Sequence, residues 1–233
     1  MKIKMFAISL LTAVTAAPLA AHADYSVTDE IRVLQGFQAG GGSDALAQLA
    51  HPYLREILGV NFINEYIPGA TGAIAWTRLA HQSPKDGAVI SITNTPMLMT
   101  NYIINDSITY NIDQLTPIAN VVTDPGADSL RPLAVFAEER LPMLPDVPTL
   151  KEIGYDVVNG SSRGYSAPAG IPDQARDELI AAFEELATHE EFLQRAEERA
   201  FYIDIVTGDD YMDMMKTMEE TFTGIWSEMD EEV

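Results

Sequence analysis

The residues best suited to chemistry form a glycine-rich run, Gly40-Gly41-Gly42-Ser43-Asp44, between a predicted strand and a predicted helix. Glycines allow backbone amides to approach a ligand closely, and Ser43 is suited to cap the helix. The N-terminal end of a helix carries partial positive charge, so the run favours binding of an anion. The alternative is a tight turn that only connects the two elements.

A second polar cluster, Thr93-Asn94-Thr95, follows the third predicted strand, in the position that the glycine-rich run occupies after the first. Ligands of parallel α/β sheets bind at the carboxyl ends of strands, and right-handed crossovers bring both segments to one edge. The predicted ligand-binding residues are Gly41, Gly42, Ser43, Asp44, Thr93, Asn94 and Thr95.

Two enzyme patterns compete with this interpretation. The glycine-rich run matches the dinucleotide pattern G-x-G-x-x-G/A, and Glu65 follows about 20 residues later, where a ribose-binding acid would stand. Ser162 lies in a G-x-S-x-G sequence, with Asp173 and His189 after it in the order of a hydrolase triad. Adjacent glycines match many patterns by chance, and the residues after Ser162 favour extended chain over the required helix. A secreted dinucleotide-binding or hydrolytic enzyme remains the alternative.

Metal and thiol chemistry have little support in the sequence. There is no cysteine, which excludes disulfides and thiolate ligands. His51, His81 and His189 are scattered without ligand spacing. We expect no metal, no cofactor and no catalytic residue.

The elements that position these residues alternate regularly in the first half of the chain. Apolar runs predict strands at 31–37, 60–67 and 88–93, and helical spacing predicts helices at 43–58, 73–81 and 96–104. Such alternation indicates an α/β fold with a parallel sheet.

The second half is less regular. The predicted elements are strands at 117–122, 133–136, 155–158 and 201–206, and helices at 149–153, from 172 onwards and at 209–229. Residues 160–162 and 167–170 are predicted to form a turn and a loop.

The N-terminus has the features of a secretory signal peptide. Lys2 and Lys4 precede an apolar run that ends in Ala21-His22-Ala23, so we expect the mature, exported chain to begin at Asp24. Loss of Lys2 and Lys4 from the 14 basic residues leaves 12 against 35 acidic ones, a formal charge of −23. Such an acidic chain is not expected to bind nucleic acid.

Several motifs occur in the order found in the substrate-binding proteins of tripartite tricarboxylate transporters, the TctC/Bug-type periplasmic receptors. The chain resembles this family in the motifs Gly40-Gly41-Gly42-Ser43-Asp44, Pro68-Gly69-Ala70-Thr71-Gly72, Ser83-Pro84-Lys85-Asp86-Gly87 and Leu144-Pro145-Asp146-Val147-Pro148-Thr149. Leu130-Arg131-Pro132 and Ala167-Pro168-Ala169-Gly170 also match. Together these matches cover nearly all of the mature chain.

The resemblance implies a monomeric periplasmic receptor, not an enzyme, that closes on a small carboxylate and delivers it to the membrane subunits of its transporter. It also implies a lobe like that of type II periplasmic binding proteins. Compared with the family, the chain lacks most of the second lobe. The implied division is a signal peptide at 1–23, a main α/β lobe at 24–115 and 168–233, and a second-lobe remnant at 116–167.

We expect the stability of the mature chain to depend on salt, because a charge of −23 on a compact protein repels itself and added ions screen that repulsion. The melting temperature should rise between low and moderate NaCl concentrations. A flat or falling melting temperature would show that the acidic side chains are locally paired instead.

Overall fold

A computed structural model describes residues 25–124, 133–141, 144–155 and 160–231 of the chain. The predicted signal peptide, the predicted first mature residue Asp24 and most of the predicted strand at 155–158 lie outside these residues.

The first half of the chain contains the six elements predicted from its apolar periodicity. They are β1 (Glu30–Gln35), α1 (Gly42–Leu58), β2 (Asn61–Tyr66), α2 (Ala73–Gln82), β3 (Val89–Thr95) and α3 (Met97–Ile103). Helix α1 ends because Gly59 adopts a left-handed conformation, φ 70°, in which its N–H still bonds to the Arg55 carbonyl. The periodicity was therefore sufficient to predict this half.

The second half departs further from the prediction. It contains β4 (Leu115–Asp124), β5 (Ser161–Pro168), α4 (Asp173–Leu186), α5 (Glu190–Glu198), β6 (Ile203–Thr207) and α6 (Gly208–Glu231). The predicted strand at 133–136 is reduced to one bridge between Val135 and Thr149, and residues 150–154 form turns rather than a helix.

Strand β5 replaces the predicted turn at 160–162 and the start of the predicted loop at 167–170. Its sequence, SSRGYSAP, has low intrinsic strand propensity. The strand forms because it pairs with β3 on one side and β4 on the other. Burial between two neighbours outweighs local preference, which a sequence pattern does not reveal.

The six strands form one mixed sheet in the order β2-β1-β3-β5-β4-β6. Strand β1 is parallel to β2 and β3, while the pairs β3–β5, β5–β4 and β4–β6 are antiparallel. The predicted α/β fold is confirmed, and the parallel arrangement holds for β2-β1-β3.

Helices cover both faces of the sheet. One face packs on α1, α4 and α5, through buried residues that include Leu46, Leu54, Leu179, Phe183 and Phe192. The other packs on α2, α3 and α6, through Trp76, Leu98, Tyr211 and Met215. No helix among the described residues is long and apolar enough to cross a membrane.

The predicted second-lobe remnant at 116–167 includes nearly all of β4 and β5, which lie inside this sheet. Residues 125–160 connect the two strands. Apart from the single bridge, the described part of this connection contains no helix or strand. The division into a lobe and a remnant stays a prediction.

One histidine is enclosed in the core. His51 of α1 stacks on Phe62 at a ring-centroid distance of 4.8 Å, and its Nε2 lies 3.1 Å from the Tyr165 hydroxyl. Burial lowers the pKa of His51 from 6.5 to about 4, although the nearby Asp44 carboxylate favours the charged form. The folded chain therefore holds a neutral imidazole at pH 7.

We expect His51 to make the fold less stable in mild acid. Between pH 6.5 and 4 the unfolded chain binds a proton at His51 that the folded chain does not, so the free energy of unfolding falls as the pH is lowered through this range. Between pH 7 and 5 the fall in unfolding free energy should be about 2 kcal/mol larger in the native chain than in His51→Gln. Urea denaturation at pH 7 and at pH 5 measures the unfolding free energy of the native chain and of the variant.

The matched control is His81→Gln, because His81 is exposed. This control should keep the pH dependence of the native chain. An unchanged pH dependence in His51→Gln would contradict the prediction.

Candidate functional site

Three strand ends meet at one edge of the sheet, because β2, β1 and β3 run parallel. The turns that follow β1 and β2 touch there: a Cβ atom on Gly36 would lie only 2.8 Å from the Cα of Gly72. Asn101 of α3 donates a hydrogen bond to the Thr71 carbonyl at 3.2 Å. Close approach of backbones therefore explains part of the glycine content of these turns.

The glycine-rich run forms the N-terminus of α1. The helix begins at Gly42, and its N-cap residue, Gly41, provides no side-chain hydrogen bond. The predicted cap by Ser43 is wrong, because Ser43 already lies in the first helical turn. There it is buried, and its hydroxyl donates to the Asn94 Oδ1 atom at 3.1 Å.

The first turn of α1 leaves three backbone amides unsatisfied. The N–H groups of Gly42, Ser43 and Asp44 precede the first intrahelical bond, from the Ala45 N–H to the Gly41 carbonyl. Among the described residues none of the three has another acceptor. Gly42 is exposed, so this positive helix end is open to an anion.

The side chain of Asp44 stabilises the glycine-rich run through hydrogen bonds. Its Oδ2 atom accepts hydrogen bonds from the Gly40 N–H and the Gln48 amide, both at 2.8 Å, and its Oδ1 atom accepts from the Tyr66 hydroxyl at 2.7 Å. These bonds, that of Gly40 first, hold the pKa of Asp44 below its usual value. The Asp44 carboxylate is thus hydrogen-bonded within the protein, while the backbone N–H of Asp44 is one of the three unsatisfied amides at the helix end.

The predicted cluster Thr93-Asn94-Thr95 is not a loop. These residues end β3 and pair with β5, and all three are buried. Asn94 faces α1 through Ser43, whereas Thr93 faces α6, with its hydroxyl 3.2 Å from that of Tyr211. The reason is strand alternation, which sends neighbouring side chains to opposite faces.

The structure therefore brings Asn94 to the glycine-rich run and turns Thr93 away from it. Thr95 shares the face of Thr93 by the same alternation. Its hydroxyl is fully buried and has no hydrogen-bond partner among the described residues.

Arg163 is a member of this site that the sequence does not reveal. It stands opposite Asn94 in the pairing of β5 with β3. A Cβ atom on Gly42 would lie 3.0–3.1 Å from three guanidinium atoms of Arg163, so the guanidinium rests against the start of α1. A single basic residue in a predicted turn gives no indication of this placement.

Neither enzyme pattern assembles a catalytic site in the described residues. Ser162 lies within a strand rather than at a strand-to-helix elbow, and its hydroxyl is 3.1 Å from that of Thr123. His189 instead accepts a hydrogen bond from the Phe192 N–H. Glu65 forms an ion pair with Arg78 at 2.5 Å.

Comparison with known proteins relates part of the chain to transport receptors. Residues 126–223 match the family described as tripartite tricarboxylate transporter family receptor. A UPF0065 protein of Bordetella pertussis is 30% identical over 116 residues, which cover 50% of this chain. The match spans only 36% of that relative's length.

Solved structures share the fold at low sequence identity. A TctC solute-binding protein from Polaromonas, without ligand, has a TM-score of 0.74 at 18% identity, and the alignment covers 85% of this chain and 98% of that one. MatC from Rhodopseudomonas palustris, with bound malate, has a TM-score of 0.68 at 16% identity, covering 84% and 98%.

The fold is thus that of a periplasmic solute-binding protein. The family match over residues 126–223 agrees with the resemblance that the motifs predicted. Among the described residues, no cluster of His, Asp and Glu side chains is arranged to hold a metal ion.

We expect Asp44→Asn to destabilise the chain, because an amide in place of the carboxylate cannot accept all three hydrogen bonds. These hydrogen bonds are part-buried and have a charged acceptor, and such bonds each contribute about 1.5–3 kcal/mol. Chemical denaturation measures the change. Asp106→Asn, at an exposed position, is the matched control and should leave stability unchanged; equal effects would contradict the role assigned to Asp44.

Proposed function

We propose that this chain is an exported receptor that binds one carboxylate group of a small organic acid at the N-terminus of α1. The observation that carries the proposal is the meeting of three unsatisfied amides with the Arg163 guanidinium at the exposed Gly42.

Electrostatics favour an anion at this point. The helix end carries partial positive charge and the guanidinium a full one, so a carboxylate at Gly42 would be attracted by both. Arginine also presents a planar set of donors that matches the two oxygens of a carboxylate. The strongly acidic chain otherwise repels anions, so this local positive charge is needed.

The remaining polar groups of the site fit the same ligand. Asn94 uses its Oδ1 atom to accept from Ser43, and its Nδ2 atom has no acceptor among the described residues. The backbone groups that contact the ligand would come from Gly41, Gly42, Ser43 and Asp44. Asn94 would contribute its side-chain amide. Thr93 and Thr95, on the opposite face, would support β3 rather than touch a ligand at Gly42.

The ligand class follows from the resemblance together with this geometry. MatC binds malate, a small dicarboxylate, in the same fold. We propose that this chain binds such acids in the periplasm after removal of residues 1–23, and presents them to the membrane subunits of a tripartite transporter. With a curtailed second lobe it would enclose them poorly, so we expect a dissociation constant nearer 1 mM, about −4 kcal/mol, than 1 μM.

The test is a calorimetric titration of the purified exported chain with malate. Gly42→Val should abolish binding, because its side chain would displace the Arg163 guanidinium and cover the free amides. Arg163→Gln should weaken binding at least about tenfold, the loss of about 1.4 kcal/mol from one charge-assisted contact. Arg163→Lys should bind with an affinity between those of the native chain and Arg163→Gln, because it keeps the positive charge but not the planar set of donors.

Gly224→Val is a matched control, because Gly224 lies in α6 with nothing near its Cβ position. Melting curves without ligand separate loss of binding from loss of folding. Normal malate binding by Gly42→Val would refute the proposed site. Failure of the native chain to bind any small mono-, di- or tricarboxylate would refute the function.

A further inference from the structure

A second cavity lies on the α6 face of the sheet. Its volume is about 250 Å³, and it is enclosed by the ends of β4, β5 and β6, by α6 and by residues 136–141. Its lining residues are Thr123, Phe136, Ala137, Glu138, Leu141, Gly160, Ser162, Tyr202, Asp204, Met214 and Met218.

This cavity is separate from the carboxylate site. Ser162 lines the cavity, while its neighbour Arg163 points to α1 on the other face. Adjacent residues of a strand face opposite sides of the sheet, so β5 itself divides the two sites.

The polar side of the cavity is a chain of hydrogen bonds that ends in a carboxylate. The Ser162 and Thr123 hydroxyls lie 3.1 Å apart, and Thr123 donates to the Asp204 Oδ2 atom at 2.8 Å. Asn120 donates to the Asp204 carbonyl at 2.7 Å, which fixes the backbone there. The Oδ1 atom of Asp204 has no donor among the described residues.

The rest of the lining is mainly apolar and contains groups that attract cations. Phe136 and Tyr202, residues that are 44% and 37% exposed, line the cavity, and Met214 and Met218 contribute polarisable sulfur atoms. Faces of aromatic rings attract ammonium groups, and more strongly where water is excluded. No lysine, arginine or histidine is among the lining residues.

Glu138 adds a second acidic group, but its carboxylate is already paired with Lys151 at 2.6 Å. The negative charge available to a ligand is therefore mainly that of Asp204. One available carboxylate in a cavity that two aromatic residues also line matches a single positive charge with an apolar body.

From this arrangement we propose that the cavity binds a small organic ammonium ion, with its charged head at Asp204 and its alkyl groups against Phe136, Tyr202 and the two methionines. The volume is below the roughly 300–1,000 Å³ of pockets for drug-sized ligands, so the ligand is of the size of choline. The net charge of −21 raises the local concentration of any cation and assists its capture.

The experiment uses choline and 3,3-dimethylbutan-1-ol, its uncharged carbon analogue, each titrated into the purified exported chain at low salt and followed by NMR. The two probes have the same shape and differ in charge. Choline should bind saturably, at least about tenfold more tightly than the alcohol, because the alcohol loses both the ion pair and the cation–π contacts.

Two variants test the assigned groups. Asp204→Asn keeps an oxygen to accept from Thr123 and removes the charge, so it should weaken choline binding about tenfold and leave the alcohol unchanged. Tyr202→Leu keeps an apolar wall without the ring and should also weaken choline selectively. Asp106→Asn, an exposed acid elsewhere, controls for the general negative field and should bind choline as the native chain does.

Three outcomes overturn the proposal: no saturable choline binding, equal affinity for the alcohol, or equal weakening by Asp106→Asn and Asp204→Asn. If Asp204→Asn does not fold, the response of Tyr202→Leu decides. Malate binding at Gly42 is an independent measurement, and its failure leaves this test unaffected.

Discussion

The pairing of β5 between β3 and β4 is the interaction on which the rest of the structure depends. It sets Arg163 opposite Asn94 on one face, and Ser162 opposite Thr123 on the other. Gly164 permits this packing, since a Cβ atom there would lie 2.4 Å from the Ala119 carbonyl and 2.5 Å from the Tyr211 hydroxyl. One short strand thus positions a cation against α1 and a hydroxyl in the α6-side cavity.

In the proposed site the helix end and the Arg163 guanidinium would act together, because the amides of a helix end do not by themselves define a site. Free amides at a helix N-terminus are common to all helices, and water satisfies them in most. Asp44 orders this end of α1 by accepting hydrogen bonds from the Gly40 N–H and the Tyr66 hydroxyl. The proposed site therefore combines an acid that orders the backbone with a cation that would attract the ligand.

Sequence periodicity predicted β1 to α3 because those elements carry their own apolar patterns, and it placed the glycine-rich run correctly at the start of α1. It failed at β5, whose small polar residues form a strand only because two neighbours bury them. Because β5 was not predicted, the position of Arg163 was not predicted either. The prediction also treated Thr93-Asn94-Thr95 as one group, although strand alternation divides these residues between the two faces of the sheet. Long-range pairing, not local propensity, determines this part of the site.

Strands β4 and β5 are adjacent and antiparallel, and Asp124 is paired directly with Ser161. The chain between them therefore leaves and re-enters the sheet at neighbouring points. Because the entropy of closing a loop grows only with the logarithm of its length, a doubling costs about 0.6 kcal/mol. Whole segments can therefore be gained or lost at this position with little effect on the sheet and its two faces. The part of a chain that would enclose a ligand can evolve separately from the stability of the sheet.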